Sequence, residues 1–105
     1  MSHDVIGELE QWFLSQCDGD WEHSHSIEIG TTDNPGWALV IEVQGTELES
    51  RPFEDMEIRR SDRDYVECWR WPDAWQADCG MTNLSEAIAR FLDWAGEANV
   101  HPTGS

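Results

Sequence analysis

Lysine is absent from this chain of 105 residues, and its basic charge rests on six arginines. Phosphate backbones and anionic membranes are held by clustered basic side chains, so neither nucleic acid nor a membrane surface is expected as a partner. No apolar run reaches the roughly 18 residues of a membrane-spanning helix. Met1-Ser2-His3-Asp4 carries no basic residue ahead of an apolar stretch, so no secretory leader is expected. Cysteine is scarce: Cys17, Cys68 and Cys79 are odd in number, widely spaced and never in a CxxC pair. That argues against a disulfide framework and a paired-cysteine zinc site, and favours a cytoplasmic protein with reduced, packed thiols. The glycines are isolated, so no phosphate loop is present. The only imidazoles, His3, His23, His25 and His101, offer no local activation of a thiol nucleophile. Carboxylates are so abundant that an acid–base pair could be drawn almost anywhere, which deprives any such pair of weight. The expectation is a protein that is not an enzyme and holds no cofactor.

What the chain does contain is acid and tryptophan. Twenty-two Asp and Glu give a formal net charge of -16, and there are seven tryptophans. A small domain needs a net charge of only roughly 2–8 for solubility. Further charge destabilises the compact state by self-repulsion but speeds encounter with a basic partner. Two origins stay open. One is a host with an acidic proteome, which the missing lysine fits, as does a GC-rich genome. The other is a surface made for a basic protein.

The length suits one domain. Residues 1–98 read as a single unit and 99–105 as a flexible polar tail. Val5, Ile6, Leu9, Trp12, Phe13 and Cys17 recur at helical spacing, with Asp4 placed to cap and Gly19 just past the end. Four alternating segments follow. Ile27 and Ile29 flank Glu28, and Trp37, Leu39, Ile41 and Val43 alternate along the second. Met56 and Ile58 mark the third, and Tyr65 through Trp71 forms the fourth. Asp33-Asn34-Pro35-Gly36 reads as a turn in which Pro35 sets one dihedral and Gly36 supplies a positive φ. Pro72 closes the fourth strand, and Asp73 to Gly80 reads as loop. Asn83 with Glu86 predicts a capping box ahead of the stripe Leu84, Ala87, Ile88, Phe91, Leu92 and Ala95. The expected class is α+β: an N-terminal helix, a four-stranded antiparallel meander and a C-terminal helix, with both helices on one sheet face.

The run Cys17-Asp18-Gly19-Asp20-Trp21-Glu22-His23 is followed by Asp33-Asn34-Pro35-Gly36-Trp37, then by Gly45-Thr46-Glu47-Leu48 and Arg51-Pro52-Phe53. Together these resemble the immunity protein 53 family of bacterial polymorphic toxin systems, over about Leu9 to Trp94. The resemblance implies a small protein that binds a toxin made by its own cell and keeps it inactive. It supplies no contact residues. Trp69-Arg70-Trp71-Pro72-Asp73-Ala74-Trp75 departs from the family pattern, which is shorter and glycine-rich there.

The strand phases predict where the charge goes. If Ile27, Ile29, Leu39, Ile41, Val43, Met56, Ile58, Val66 and Cys68 face the helices, then Glu28, Glu42, Glu57 and Glu67 share the open face. Val40, Tyr65, Trp69 and Trp71 join them. Asp18, Asp20, Glu22, Glu42 and Glu57 are the candidate charged contacts to a basic toxin domain, and Trp69, Trp71 and Trp75 the candidate anchors. The bland alternative is a solvated face whose tryptophans pack elsewhere. Trp21, Asp33, Asn34, Pro35, Gly36 and Trp37 read as structural residues of the two family-like clusters. Asp18 to His25 also invites a metal-binding or catalytic reading. However, a calcium loop needs further oxygens and a late glutamate that do not follow, and no third or fourth ligand accompanies His23 and His25. A third reading is an acidic adaptor with no toxin partner.

Overall fold

The computed structural model describes residues 4–99. Helix α1 spans Val5–Gln16, capped by Asp4, whose Oδ1 accepts the Gly7 amide at 2.9 Å. A one-turn helix, α2 (Trp21–Ser24), leads into strands β1 (Ile27–Thr32), β2 (Gly36–Glu42), β3 (Met56–Arg59), β4 (Tyr65–Arg70) and β5 (Ala74–Gly80). Helix α3 spans Leu84–Asn99. Apart from Asn99, where that helix ends, the expected polar tail lies outside the described residues.

The α+β class and the antiparallel pairing hold, but the sheet has five strands in the order β1-β2-β5-β4-β3. Neither four strands nor a simple meander is correct. The segment expected to be loop is the central strand β5, paired with β2 on one side and β4 on the other. Ala, Asp and Gly are weak strand formers, so local preference hides this strand. Trp75, Ala77 and Cys79 nevertheless alternate with Gln76 and Asp78, and pairing on both sides decides the conformation.

The apolar face of the sheet stacks in register: Ile27–Ile41–Trp75 and Ile29–Leu39–Ala77–Cys68–Met56 run across the strands. Trp75, Phe91, Leu39, Ile41, Ile88 and Val66 are fully buried there. Trp12 and Trp75 each meet the Phe91 ring, at 4.9 and 5.3 Å, so both long helices close over this one face. The long connection from β2 to β3 is fixed from inside. Leu48 is fully buried, and Phe53 packs edge-on against Trp75 and Trp94. The Pro52 carbonyl accepts the Trp94 indole N–H at 3.0 Å. Arg70 donates to the Glu49, Arg51 and Pro72 carbonyls and lies over the Trp94 ring.

Gly36 has no positive φ; the only such glycines among the described residues are Gly19 and Gly45. Gly36 is instead the first residue of β2 and lies opposite Gly80, where a Cβ would come within 2.3 Å of the Cys79 carbonyl oxygen. Close approach of backbones, not turn geometry, requires glycine there. Asn83 does not cap α3 through its side-chain oxygen. Its amide donates to Asp64 Oδ1 and Glu86 Oε1, tying the β3–β4 turn to the helix start.

Candidate partner-binding site

The expected residues separate into three groups. Asp18 and Glu22 belong to a self-contained turn: Asp18 Oδ1 accepts the amides of Asp20 and Trp21, and the Glu22 carboxylate accepts those of Asp18 and Gly19. Hydrogen bonds from the Trp21 and Asp20 amides hold the Asp18 carboxyl below its ordinary range. Glu22 is lowered too, its own backbone amide leading and those of Asp18 and Gly19 adding. Asp20 makes no such cap bond and is exposed. Trp21 is buried, donating its indole N–H to the Gln44 carbonyl at 2.8 Å.

His23 and His25 lie on and just after α2, not on a strand, and the His25 ring stacks on Trp21 at 5.2 Å. Among the described residues no group of three His, Cys, Asp or Glu side chains gathers as a metal site would require. Desolvation pushes the buried Cys68 and Cys79 thiols up to about 12 and about 11, far from nucleophilic thiolates at neutral pH.

The turn at Asp33 to Gly36 is structural, and Asn34 gives it a partner. Its amide donates to the Tyr65 hydroxyl at 3.0 Å, tying the β1–β2 hairpin to β4. Trp37 donates its indole N–H to the Met81 carbonyl. Trp75 is a correction: it is fully buried at the centre of the core, so it presents no surface to a partner. Its side chain alternates inward with Ala77 and Cys79 because β5 is a strand.

The open sheet face gathers the rest. Registers across the sheet align Glu28, Val40, Gln76 and Trp69 in one row, and Ala38, Asp78, Glu67 and Glu57 in the next. Glu42 lies beside Ala74 at the end that carries Trp71, which is 57% exposed in the β4–β5 turn. Trp69 is half-buried and, with Asp55, Glu57 and Glu67, borders a shallow hollow of about 460 Å³. Tyr65 belongs to this face but is buried, with the Arg59 guanidinium 4.5 Å above its ring. Asp78 is the acidic residue that sequence reasoning missed. The alternation around Trp75 would have found it.

The charges on this face are not equivalent. Arg59 reaches Glu57 at 3.4 Å and Glu67 at 3.0 Å, so those two share a cation. Glu42 Oε1 accepts the Ser26 amide. Glu28 and Asp78 have no ion pair among the described residues. Three other arginines are engaged elsewhere. Arg60 is bound to Asp64 and Glu86, Arg90 lies 3.7 Å from Glu86, and Arg70 holds carbonyls. Cationic side chains thus brace the scaffold while the β1–β2–β5 half of the open face keeps uncompensated carboxylates.

Residues 6–96 match the immunity protein 53 family. The chain belongs to that family. Membership implies an immunity protein whose partner is a toxin. No curated protein and no solved structure matches. Several residues of the motifs that carry the family likeness help to build the fold. Gly45 takes a φ of 82°, Thr46 accepts the Leu48 amide, and Leu48 and Phe53 fill the core edge beneath α3. In this immunity protein, among the described residues, no helix is long and apolar enough to cross a membrane.

Proposed function

We propose that this immunity protein neutralises a cognate polymorphic toxin by stoichiometric, non-catalytic binding, and that its open sheet face is the contact surface. The observation that carries the reading is the grouping of Glu28, Glu42, Glu57, Glu67 and Asp78 with Trp69 on one face that no helix covers. Carboxylates left without internal cations fit a basic toxin surface, such as a cleft that otherwise holds an anionic substrate. They would set encounter rate and orientation. Half-buried Trp69 would supply aromatic area within the contact, and Trp71, in its exposed turn, would anchor the edge of it. Asp18 and Glu22, already engaged with backbone amides, belong to the scaffold in this reading. Asp20 stays available at its rim.

The test is a calorimetric titration with the cognate toxin domain at low and high salt. The expected result is a one-to-one complex that weakens as salt rises, because exposed charges are screened beyond about 10 Å at 0.1 M salt. Tight binding indifferent to salt would move the energy to the tryptophans. Absence of binding at both salts would overturn the reading for that pair.

A further inference from the structure

The two edges of the sheet differ in how they are protected. Natural edge strands are blunted by shortness, charged side chains (lysine above all), proline or bulges. Strand β3 has four residues, ends in Arg59 followed by Arg60, and throws Arg59 across its neighbour β4. Strand β1 has six residues, pairs with β2 in unbroken register and contains neither proline nor a basic residue. Residues 28–31 are exposed, including Ile29 at 42%, and beyond its chain neighbours no atom stands within 4 Å of a Cβ built on Gly30.

The backbone phase of this edge is fixed. The Glu42 amide donates to the Ser26 carbonyl, so the even residues of β1 bond to β2. Alternation then turns the N–H and C=O of Ile27, Ile29 and Thr31 outward. We propose that this outer edge pairs antiparallel with the same edge of a second copy of the chain, about a two-fold axis at Ile29. That register sets Ile29 against Ile29, Ile27 against Thr31 and Glu28 against Gly30. About six backbone hydrogen bonds form, two for each outward pair. The exposed Ile29 side chains meet on the apolar side of the sheet. The only charged residue of the strand faces a glycine with open space around it. A register opposing Glu28 to itself is disfavoured, because it would set two carboxylates directly opposite one another in a close, non-hydrogen-bonded pair. The result is a two-fold, self-complementary interface that leaves the acidic face of each copy uncovered. It goes beyond the immunity reading and does not depend on it.

Each copy carries the formal charge of -16, so repulsion opposes the pairing and salt should relieve it. Analytical ultracentrifugation at low and high salt is the test. The expected result is a concentration-dependent dimer that strengthens with salt. Ile29→Glu, which opposes two new carboxylates, and Thr31→Pro, which deletes an outward N–H that β2 does not use, should each leave a monomer with unchanged circular dichroism. Crosslinking covers the case in which those variants misfold. In a Cys17→Ser background, Ile29→Cys should oxidise to a disulfide-linked dimer, since facing Cα atoms in such a pair are about 5.5 Å apart. Glu28→Cys should not, because two residues of rise and one strand spacing separate the two copies by about 8 Å. A monomer at all concentrations and both salts would overturn the proposal. So would a dimer that survives both substitutions, or equal crosslinking at positions 28 and 29.

Discussion

Asp78→Asn should make this protein more stable and a weaker inhibitor. Strand register sets Glu57 opposite Glu67 and Glu67 opposite Asp78, a row of three carboxylates over adjacent strands. Like charges directly opposite across strands destabilise by about 0.2–1 kcal/mol per pair. Arg59 offsets the outer pair through its contacts with Glu57 and Glu67, but Asp78 has no cation among the described residues. Neutralising Asp78 removes one uncompensated repulsion without deleting a side-chain hydrogen bond among the described residues, a gain of about 0.5 kcal/mol. For a domain of this size that is a rise in Tm of about 2–4 °C. The same change removes a carboxylate offered to the toxin, at a loss of about 0.5–1.4 kcal/mol, or roughly two- to tenfold in Kd. Most of that loss should appear in the association rate. Glu57→Gln should weaken binding less, because Arg59 already shares its charge. Glu10→Gln, on the exposed side of α1, is the control and should leave affinity unchanged. The assays are thermal melting and stopped-flow association, each at low and high salt, with both effects shrinking as salt rises. A fall in Tm would show that Asp78 holds the sheet together. An affinity loss no greater than that of Glu10→Gln would refute the acidic face as the contact.

Trp75→Ala should destabilise the fold by about 3–5 kcal/mol as a fully buried indole is lost, whereas Trp71→Ala should leave the urea midpoint unchanged and weaken toxin binding by more than about 1 kcal/mol. Arg70→Leu strips three carbonyls of a charged donor and the Trp94 ring of its cation, and should lower stability by about 2–4 kcal/mol in urea titrations with an unchanged m-value. Hydrogen bonding to Arg60 holds the Asp64 and Glu86 carboxyls below their ordinary range, so their contribution is present above about pH 4 and lost as pH falls through the lowered values. Arg60→Gln should therefore flatten the loss of stability between neutral and acid pH, measured as the difference in urea midpoint from the unaltered chain.

The sequence showed the two long helices and four of the strands because their signals are local; the one-turn helix α2 was not among them. Asp4 precedes an apolar stripe at helical spacing, and Leu39, Ile41 and Val43 alternate with side chains of the other face. Strand β5 was hidden because its residues are chosen for where it lies. A strand in the middle of the sheet beneath α3 can be built from Ala74, Ala77, Cys79 and Gly80, small side chains that weigh little in any local scale. That single omission propagated. Without β5, Trp75 looked like one of three exposed tryptophans, Asp78 looked like a loop residue, and the sheet looked like a meander. With β5 in place, the alternation that turns Trp75 into the core turns Asp78, three residues on, to the open face. The acidic face itself was legible, because Glu28, Glu42, Glu57 and Glu67 each occupy a clear alternation. Which of those charges stays uncompensated was not, because Arg59 meets Glu67 only through the β3–β4 pairing, and Asp78 meets Glu67 only once β5 has closed the sheet. Charge count follows from composition, but charge availability follows from long-range register. Glu28 keeps its charge uncompensated through the local β1–β2 hairpin, whereas Asp78 comes to lie beside Glu67 and Ala38 only when β5 pairs with β4 and β2, so its place on the face could be read only from the closed sheet.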